Sequence, residues 1–284
     1  MENSNYSKIH IDSDRGVATV TINNPPVNVL DVTLMSEIRR VLTSMRDDPQ
    51  TCVIVFQSAD PEFFIAHVDM TLIDEPHAFD EIAKDAPDGL NPFQALGEMI
   101  RAQPQVTIVK LEGMARGGGA EFVSAADMTF AAIGRAGLAQ CEALMGIIPG
   151  GGATQYLSQR MTRGRALEVI LGGDLADALT AERYGWVNRA LPADELDAFV
   201  SRIARNIAAL PEGVIAAAKK AIPPTDLHEG FRRENEAWAS LFALPAAEKL
   251  IRGGLRVGAQ TKAGEQDLER LMRDLYSSLG QISA

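Results

Sequence analysis

A strand-like run over residues 105–111 is followed within a few residues by Gly117-Gly118-Gly119-Ala120-Glu121-Phe122-Val123-Ser124-Ala125-Ala126-Asp127. The run has the length of a buried strand, and the alanine-rich stretch after the glycines has the pattern of a helix start. Three consecutive glycines leave backbone N–H groups uncovered by side chains. A strand, a glycine turn and a helix N-terminus in succession make a place where negative charge is stabilised. Glu121 stands one turn into that helix, three residues after Gly118, so its carboxylate can face whatever the glycine amides bind. A proton-transfer group beside an anion-stabilising turn is the combination that enolate chemistry needs. The motif is weak alone, because most glycine runs are turns or close packing points and a glutamate in a first helical turn usually complements the dipole.

The same pattern recurs along the chain. Residues 8–12 and 17–22 alternate across Ser13-Asp14-Arg15-Gly16, which predicts a β-hairpin, and Asn23-Asn24-Pro25-Pro26 ends it. Asp31 is the expected N-cap of a helix over Val32–Arg46, with Leu34, Ile38, Val41, Leu42 and Met45 on one stripe. Residues 52–57 read as a strand buried on both faces, 58–70 as a loop, 71–92 as a proline-bearing excursion and 93–102 as a helix. After the glycine turn come a short strand over Met128–Ala132, a second acidic residue at Glu142, Pro149-Gly150-Gly151-Gly152, and helices over 153–161, 165–172 and 179–184. Repeated strand–strand–helix units with short connections predict a spiral or layered α/β core over residues 1–192.

From Ala193 onward the pattern is helical: 194–210, 211–222, 227–244, 246–253 and 265–279, with a loop expected over 254–264. In the last of these Leu268, Leu271, Met272, Leu275 and Leu279 recur at helical spacing. That apolar face must be buried, either on a neighbouring subunit or back on its own domain.

The formal charge of −11 disfavours nucleic acid and anionic membrane surfaces as partners of the whole molecule. It leaves room for a local basic groove that takes a phosphorylated ligand. Two cysteines, Cys52 and Cys141, are too few for a disulfide framework, and no Cys/His cluster has metal-site spacing, so no metal is expected. No run approaches the apolar length of a membrane span, and residues 1–7 lack an apolar signal core, which reads as a cytoplasmic protein with reduced thiols.

Six segments in order resemble the crotonase superfamily, the enoyl-CoA hydratase/isomerase proteins. They are Asn24-Pro25-Pro26-Val27-Asn28-Val29-Leu30, Phe64-Ile65-Ala66-His67-Val68-Asp69-Met70, Gly117-Gly118-Gly119-Ala120-Glu121 with Asp127, Gln140-Cys141-Glu142, Gly146-Ile147-Ile148-Pro149-Gly150-Gly151-Gly152-Ala153-Thr154-Gln155, and Ala181-Glu182-Arg183-Tyr184-Gly185-Trp186-Val187. The resemblance implies a spiral of ββα units with a helical C-terminal trimerisation region over 193–284, assembled as a homotrimer or a dimer of trimers. Val68 and Gly118 are similar to the positions whose amides form the oxyanion hole for a thioester carbonyl. Glu121 and Glu142 look like the two glutamates that hold and activate water. Val27, Val29, Ala66 and Met70 lie where related proteins surround CoA, which on this reading is part of the substrate, with no covalently bound cofactor.

The chain departs from that pattern at His67, where glycine is usual, at Val68, where alanine is usual, and at Cys141, where proline is common. The His67 side chain is expected to point away from the acyl chain, and Cys141 to act as a small buried hydrophobe. The resemblance implies hydration of a 2-enoyl-CoA through an enolate-like state. Isomerisation, thioester hydrolysis, carbon–carbon or carbon–halogen chemistry, and a non-catalytic trimeric scaffold are the alternatives.

Overall fold

The computed structural model describes residues 6–282, with side chains placed through Ser278, so the expected position of Leu279 on the last apolar stripe lies outside the described side chains. The chain opens with the hairpin β1 (Ile9–Asp14) and β2 (Val17–Ile22), paired antiparallel with Ile9 opposite Ile22. In α1 (Val32–Arg46) the Asp31 side chain accepts from Leu34 N at 2.7 Å, a cap worth about 1 kcal/mol. The predicted stripe is buried, and each such side chain contributes roughly 2 kcal/mol relative to leaving it in water. There follow β3 (Val53–Ser58), β4 (Phe63–Ile65), a 3₁₀ turn (Met70–Asp74), α2 (Asp80–Ala83) and α3 (Pro92–Arg101). Asn91 caps α3 through a reciprocal box with Gln94. Next are β5 (Val106–Leu111), β6 (Met114–Arg116), α4 (Gly118–Ala125), β7 (Met128–Ala132), β8 (Gly137–Ala139) and a second 3₁₀ turn (Glu142–Met145). The core ends with α5 (Ala153–Arg160), α6 (Arg163–Gly172), β9 (Ala176–Asp177), α7 (Ala178–Tyr184) and β10 (Arg189–Leu191).

The strands form two sheets, ordered β1-β2-β3-β5-β7-β10 and β4-β6-β8-β9. Each of the pairs β3/β4, β5/β6 and β7/β8 places its first strand in the larger sheet and its second in the smaller, and a helix then carries the chain to the next layer. This is the spiral of ββα units expected from the repeats. The smaller sheet was not foreseen as a sheet. β4 lies in the segment expected to be a loop, and strands of two or three residues are too short to show a period.

The helical region comprises α8 (Ala193–Ala208), α9 (Val214–Ala221), α10 (His228–Phe242), α11 (Pro245–Val257), α12 (Lys262–Glu265) and α13 (Leu268–Ile282). The loop expected over 254–264 is shorter, because α11 runs on to Val257 and α12 begins at Lys262. The apolar faces of α11 and α13 turn back onto the core: Leu250, Ile251, Leu268 and Met272 share one buried cluster with Met70, Cys141 and Met145. Of the face expected on the last helix, Leu268 and Met272 are buried on the chain's own domain, while Leu271 and Leu275 stay half-buried. No helix among the described residues is long and apolar enough to cross a membrane.

Candidate functional site

The smaller sheet supplies the site. β4, β6 and β8 run parallel, with Phe63 opposite Met114 and Met114 opposite Gly137, so their carboxyl ends lie side by side. Two or three residues past those ends come Val68, Gly118 and Glu142. Residues distant in sequence thus arrive at one edge, where ligands of open α/β sheets are usually met.

Val68 is held by an isolated parallel bridge to Leu30: Leu30 N donates to His67 O at 2.8 Å and Asp69 N to Leu30 O at 3.2 Å. Both neighbouring amide planes are fixed, while the Val68 N–H itself donates to no acceptor among the described residues. Gly118 is the first residue of α4, and its N–H is likewise unengaged. A Cβ built on Gly118 would stand 2.6 Å from Val68 Cγ2 and 3.8 Å from Val68 N. The two free amides are therefore neighbours, and the loops approach so closely that a side chain at 118 would have to displace Val68. Gly117 turns the chain into α4 with φ +47°, and a Cβ there would lie 2.9 Å from Glu142 Oε1.

Glu121 is buried, and its Oε1 accepts from Gly151 N at 2.7 Å and Ala153 N at 3.1 Å. The alternate amides of the same turn go to Glu234 on α10: Gly152 N at 2.7 Å and Thr154 N at 3.0 Å, with the Thr154 hydroxyl also donating to it. Gln94 Nε2 donates to Glu234 at 3.0 Å. Two carboxylates thus share the four amides at the start of α5, and Glu234 fixes the loop that fixes Glu121. Burial, reinforced by the charges of Glu142 and Glu234, pushes the Glu121 carboxyl well above its ordinary range despite the two amides. Burial also raises Glu142, to about 7. With its amide oriented to donate, Gln140 reaches both Glu142 oxygens, at 3.1 and 3.2 Å.

Val68, Gly118, Glu121 and Glu142 line a single cavity of about 440 Å³. Its far wall is aromatic: Phe79 meets Phe93 edge-on at 4.9 Å, and Trp238 stacks on Phe242 at 4.5 Å between ring centres. Residues 71–92, read from sequence as a proline-bearing excursion lining the acyl pocket, form part of this wall through Leu72, Ile73 and Phe79. Met70 also lines the cavity. Val27, Val29 and Ala66 do not: they form a separate buried cluster with Phe63 and Met114, Ala66 N donates to Val27 O at 3.2 Å, and Ala66 O accepts from Arg116 N at 3.1 Å. Cys141 packs in the apolar cluster under the tail, and burial followed by the Glu142 charge pushes its thiol well up, away from nucleophilic use. The His67 ring turns toward the tail and bonds Glu265. Asp127, two residues past α4, accepts from Thr107 N at 2.9 Å and from Lys219. Among the described residues no group of three or more His, Cys, Asp or Glu is arranged to hold a metal.

Sequence reasoning missed Glu234, Glu265, Glu269 and Arg116. Glu234 and Glu269 are ordinary charges on amphipathic helices, Glu265 ends a four-residue helix, and nothing local marks any of the three as turned inward.

A family model described as enoyl-CoA hydratase/isomerase matches residues 12–257. A crystal structure of a provisionally named enoyl-CoA hydratase from Streptomyces avermitilis is 63% identical, with a TM-score of 0.94, and the match covers 96% of this chain and 99% of that one. A provisionally named enoyl-CoA hydratase of Mycobacterium bovis is 30% identical over 84% of this chain and 91% of its own. A crotonyl-CoA hydratase of Syntrophomonas wolfei is 28% identical, with the same two coverages.

Proposed function

The chain belongs to the enoyl-CoA hydratase/isomerase family, and from that premise we propose that it adds water across the double bond of a 2-enoyl-CoA thioester. The observation that carries this reading is the meeting, around one cavity, of two unengaged amides and two glutamates, Glu121 buried and Glu142 half-buried. The thioester oxygen accepts from Val68 N–H and Gly118 N–H as it gains charge, each donor being worth about 3 kcal/mol on the scale of a deleted oxyanion donor. One glutamate takes a proton from water as its oxygen bonds the β-carbon, and the other gives a proton to the α-carbon. The proton has then moved from one carboxyl to the other, so the pair must exchange it before the next turnover. Isomerisation can proceed with one base, so the presence of both carboxyls favours hydration. CoA enters as part of the substrate, and the chemistry calls for no bound cofactor. Met70 faces the substrate from the cavity wall, while Val27, Val29 and Ala66 would reach CoA only through their backbone.

Purified protein given crotonyl-CoA should bleach the conjugated thioester absorbance; absence of turnover with this and longer enoyl thioesters would remove the hydratase reading and favour a scaffold. Hydration needs one carboxyl and one carboxylate. Below about pH 7 the Glu142 carboxylate is lost, so kcat/KM is expected to fall about tenfold per unit as pH drops from there, with a second fall at higher pH as Glu121, held well above its ordinary range, ionises. Activity level down to pH 5 would contradict the pairing.

We also place the enzyme in the cytoplasm as a homotrimer or dimer of trimers. In support, α9 has no buried residue in the single chain, and Leu210, Val214 and Ile222 are 45%, 41% and 80% exposed. Sedimentation should give three or six times the 30.6 kDa chain mass; a monomer would sink the assembly but not the chemistry.

A further inference from the structure

Four charged side chains lie buried behind the two loops of the oxyanion hole, and the chemistry above uses none of them: His67, Arg116, Glu265 and Glu269. His67 Nδ1 is 2.7 Å from the Val68 carbonyl oxygen, which can only accept, so Nδ1 carries a proton. His67 Nε2 is 2.9 Å from Glu265 Oε1. That oxygen also accepts from Gln260 N at 2.8 Å, and the other oxygen of the same carboxyl faces Arg116 Nη1 at 3.5 Å. Those partners suit a carboxylate, so Nε2 donates as well and the ring is an imidazolium. Burial pulls the imidazole pKa down, but the Glu265 hydrogen bond and charge outweigh it and the net shift is upward. Arg116 completes the set by bonding Glu269 through Nε at 2.6 Å and Nη2 at 3.1 Å.

The two positive and two negative charges cancel. Such buried sets are nevertheless poor stabilisers, since well-packed apolar residues often replace them without loss. Their placement offers a better account. His67 immediately precedes Val68, and Arg116 stands two residues before Gly118. One carboxylate, Glu265, therefore touches both loops that carry the free amides. The His67 ring, bonded to the carbonyl of its own neighbour, closes a small loop around the Val68 N–H and stops that residue turning. Gln260 adds a second clasp from the same segment, donating to Asp69 Oδ1 at 3.0 Å and accepting from Met70 N. Its backbone sits at φ +65°, a conformation that a residue with a side chain rarely holds unless its surroundings fix it.

We propose that Glu265 is a positioning residue for the reaction: by holding His67 and Arg116 at once, it sets the spacing of the Val68 and Gly118 amides, so the C-terminal segment decides whether the oxyanion hole is formed. This rests on the reading of those amides as the thioester donors.

The test uses Glu265→Gln, His67→Gln and the H67Q/E265Q double variant in the full chain. Three quantities are measured: thermal stability, kcat and KM per folded enzyme, and the infrared carbonyl stretch of bound butyryl-CoA isotope-labelled at the thioester carbonyl. A hydrogen-bonded thioester carbonyl absorbs at lower frequency than a free one. Each single variant is expected to lose about 10²-fold in kcat with KM little changed, as for reacting groups misplaced by about 1 Å. Each should also lose much of the frequency shift that the wild type imposes, and the double variant, in which two neutral amides can bond each other, should recover part of both. Should Glu265→Gln fail to fold, His67→Gln carries the same comparison. Variants that melt earlier yet keep wild-type kcat and the full carbonyl shift would overturn the proposal alone. A wild type that binds no butyryl-CoA would overturn the thioester reading and this proposal with it.

Discussion

Glu121→Gln is expected to lower kcat on a 2-enoyl-CoA by about 10³-fold while KM stays within a few-fold. The glutamine oxygen can still accept from Gly151 N and Ala153 N, which hold Glu121 Oε1 at 2.7 and 3.1 Å, so the turn before α5 keeps its shape. What disappears is the exchangeable proton. Glu142 alone cannot both take a proton from water and return one to carbon within a turnover. For the same reason Glu142→Gln should be nearly as slow, and the E121Q/E142Q double variant no slower than the worse single one, because the pair acts as a unit. Steady-state hydration of crotonyl-CoA measures all three, and a kcat within tenfold of wild type for Glu121→Gln would remove Glu121 from the chemistry.

The same substitution has a stability signature of definite sign. A carboxyl whose pKa is higher folded than unfolded favours folding at low pH, and that contribution is lost as pH rises through the folded value. Glu142, raised to about 7, and Glu121, raised well above its ordinary range, both behave this way. The wild type should therefore lose stability between about pH 5 and pH 8, and Glu121→Gln should lose less of it. The site is kept at the expense of the fold at the pH where it works.

How far the sequence disclosed this arrangement depended on the range of each signal. The helix Val32–Arg46 and the strand Val17–Ile22 were readable to the residue, because six to fifteen residues of clean period and an aspartate cap leave little choice. The smaller sheet, which carries the site, has strands of three residues or fewer and exists only once the layers stack. Glu121 was legible because it follows the glycine turn directly, whereas Val68 and Glu142 needed the family resemblance to be noticed. Glu265 was invisible, since its bond to His67 spans 198 residues and from sequence it reads as an ordinary charge at the start of the last helix. The charges that position a site from a distant helix leave no local pattern, and this chain places three of them, Glu234, Glu265 and Glu269, in its C-terminal helices.

Gly118→Ala should lower kcat by about 10²- to 10³-fold, the cost of losing one oxyanion donor, or about 3 to 4 kcal/mol of transition-state stabilisation. The added methyl would stand 2.6 Å from Val68 Cγ2, well inside contact distance, and 3.6 Å from Leu30 Cδ2. Leu30 belongs to the packed core and is 2% exposed, so the strain falls on Val68. Moving Val68 displaces the very amide that must meet the thioester oxygen together with Gly118. The mechanism makes a further demand that a general loss of stability would not. Val68→Ala removes the clashing carbon and keeps the backbone N–H, so that variant alone should be close to wild type, and V68A/G118A should regain much of the activity that Gly118→Ala loses. A double variant as slow as Gly118→Ala would mean that the methyl itself fills the space of the carbonyl oxygen, and a Gly118→Ala enzyme with wild-type kcat would mean that the two amides do not act on the thioester at all.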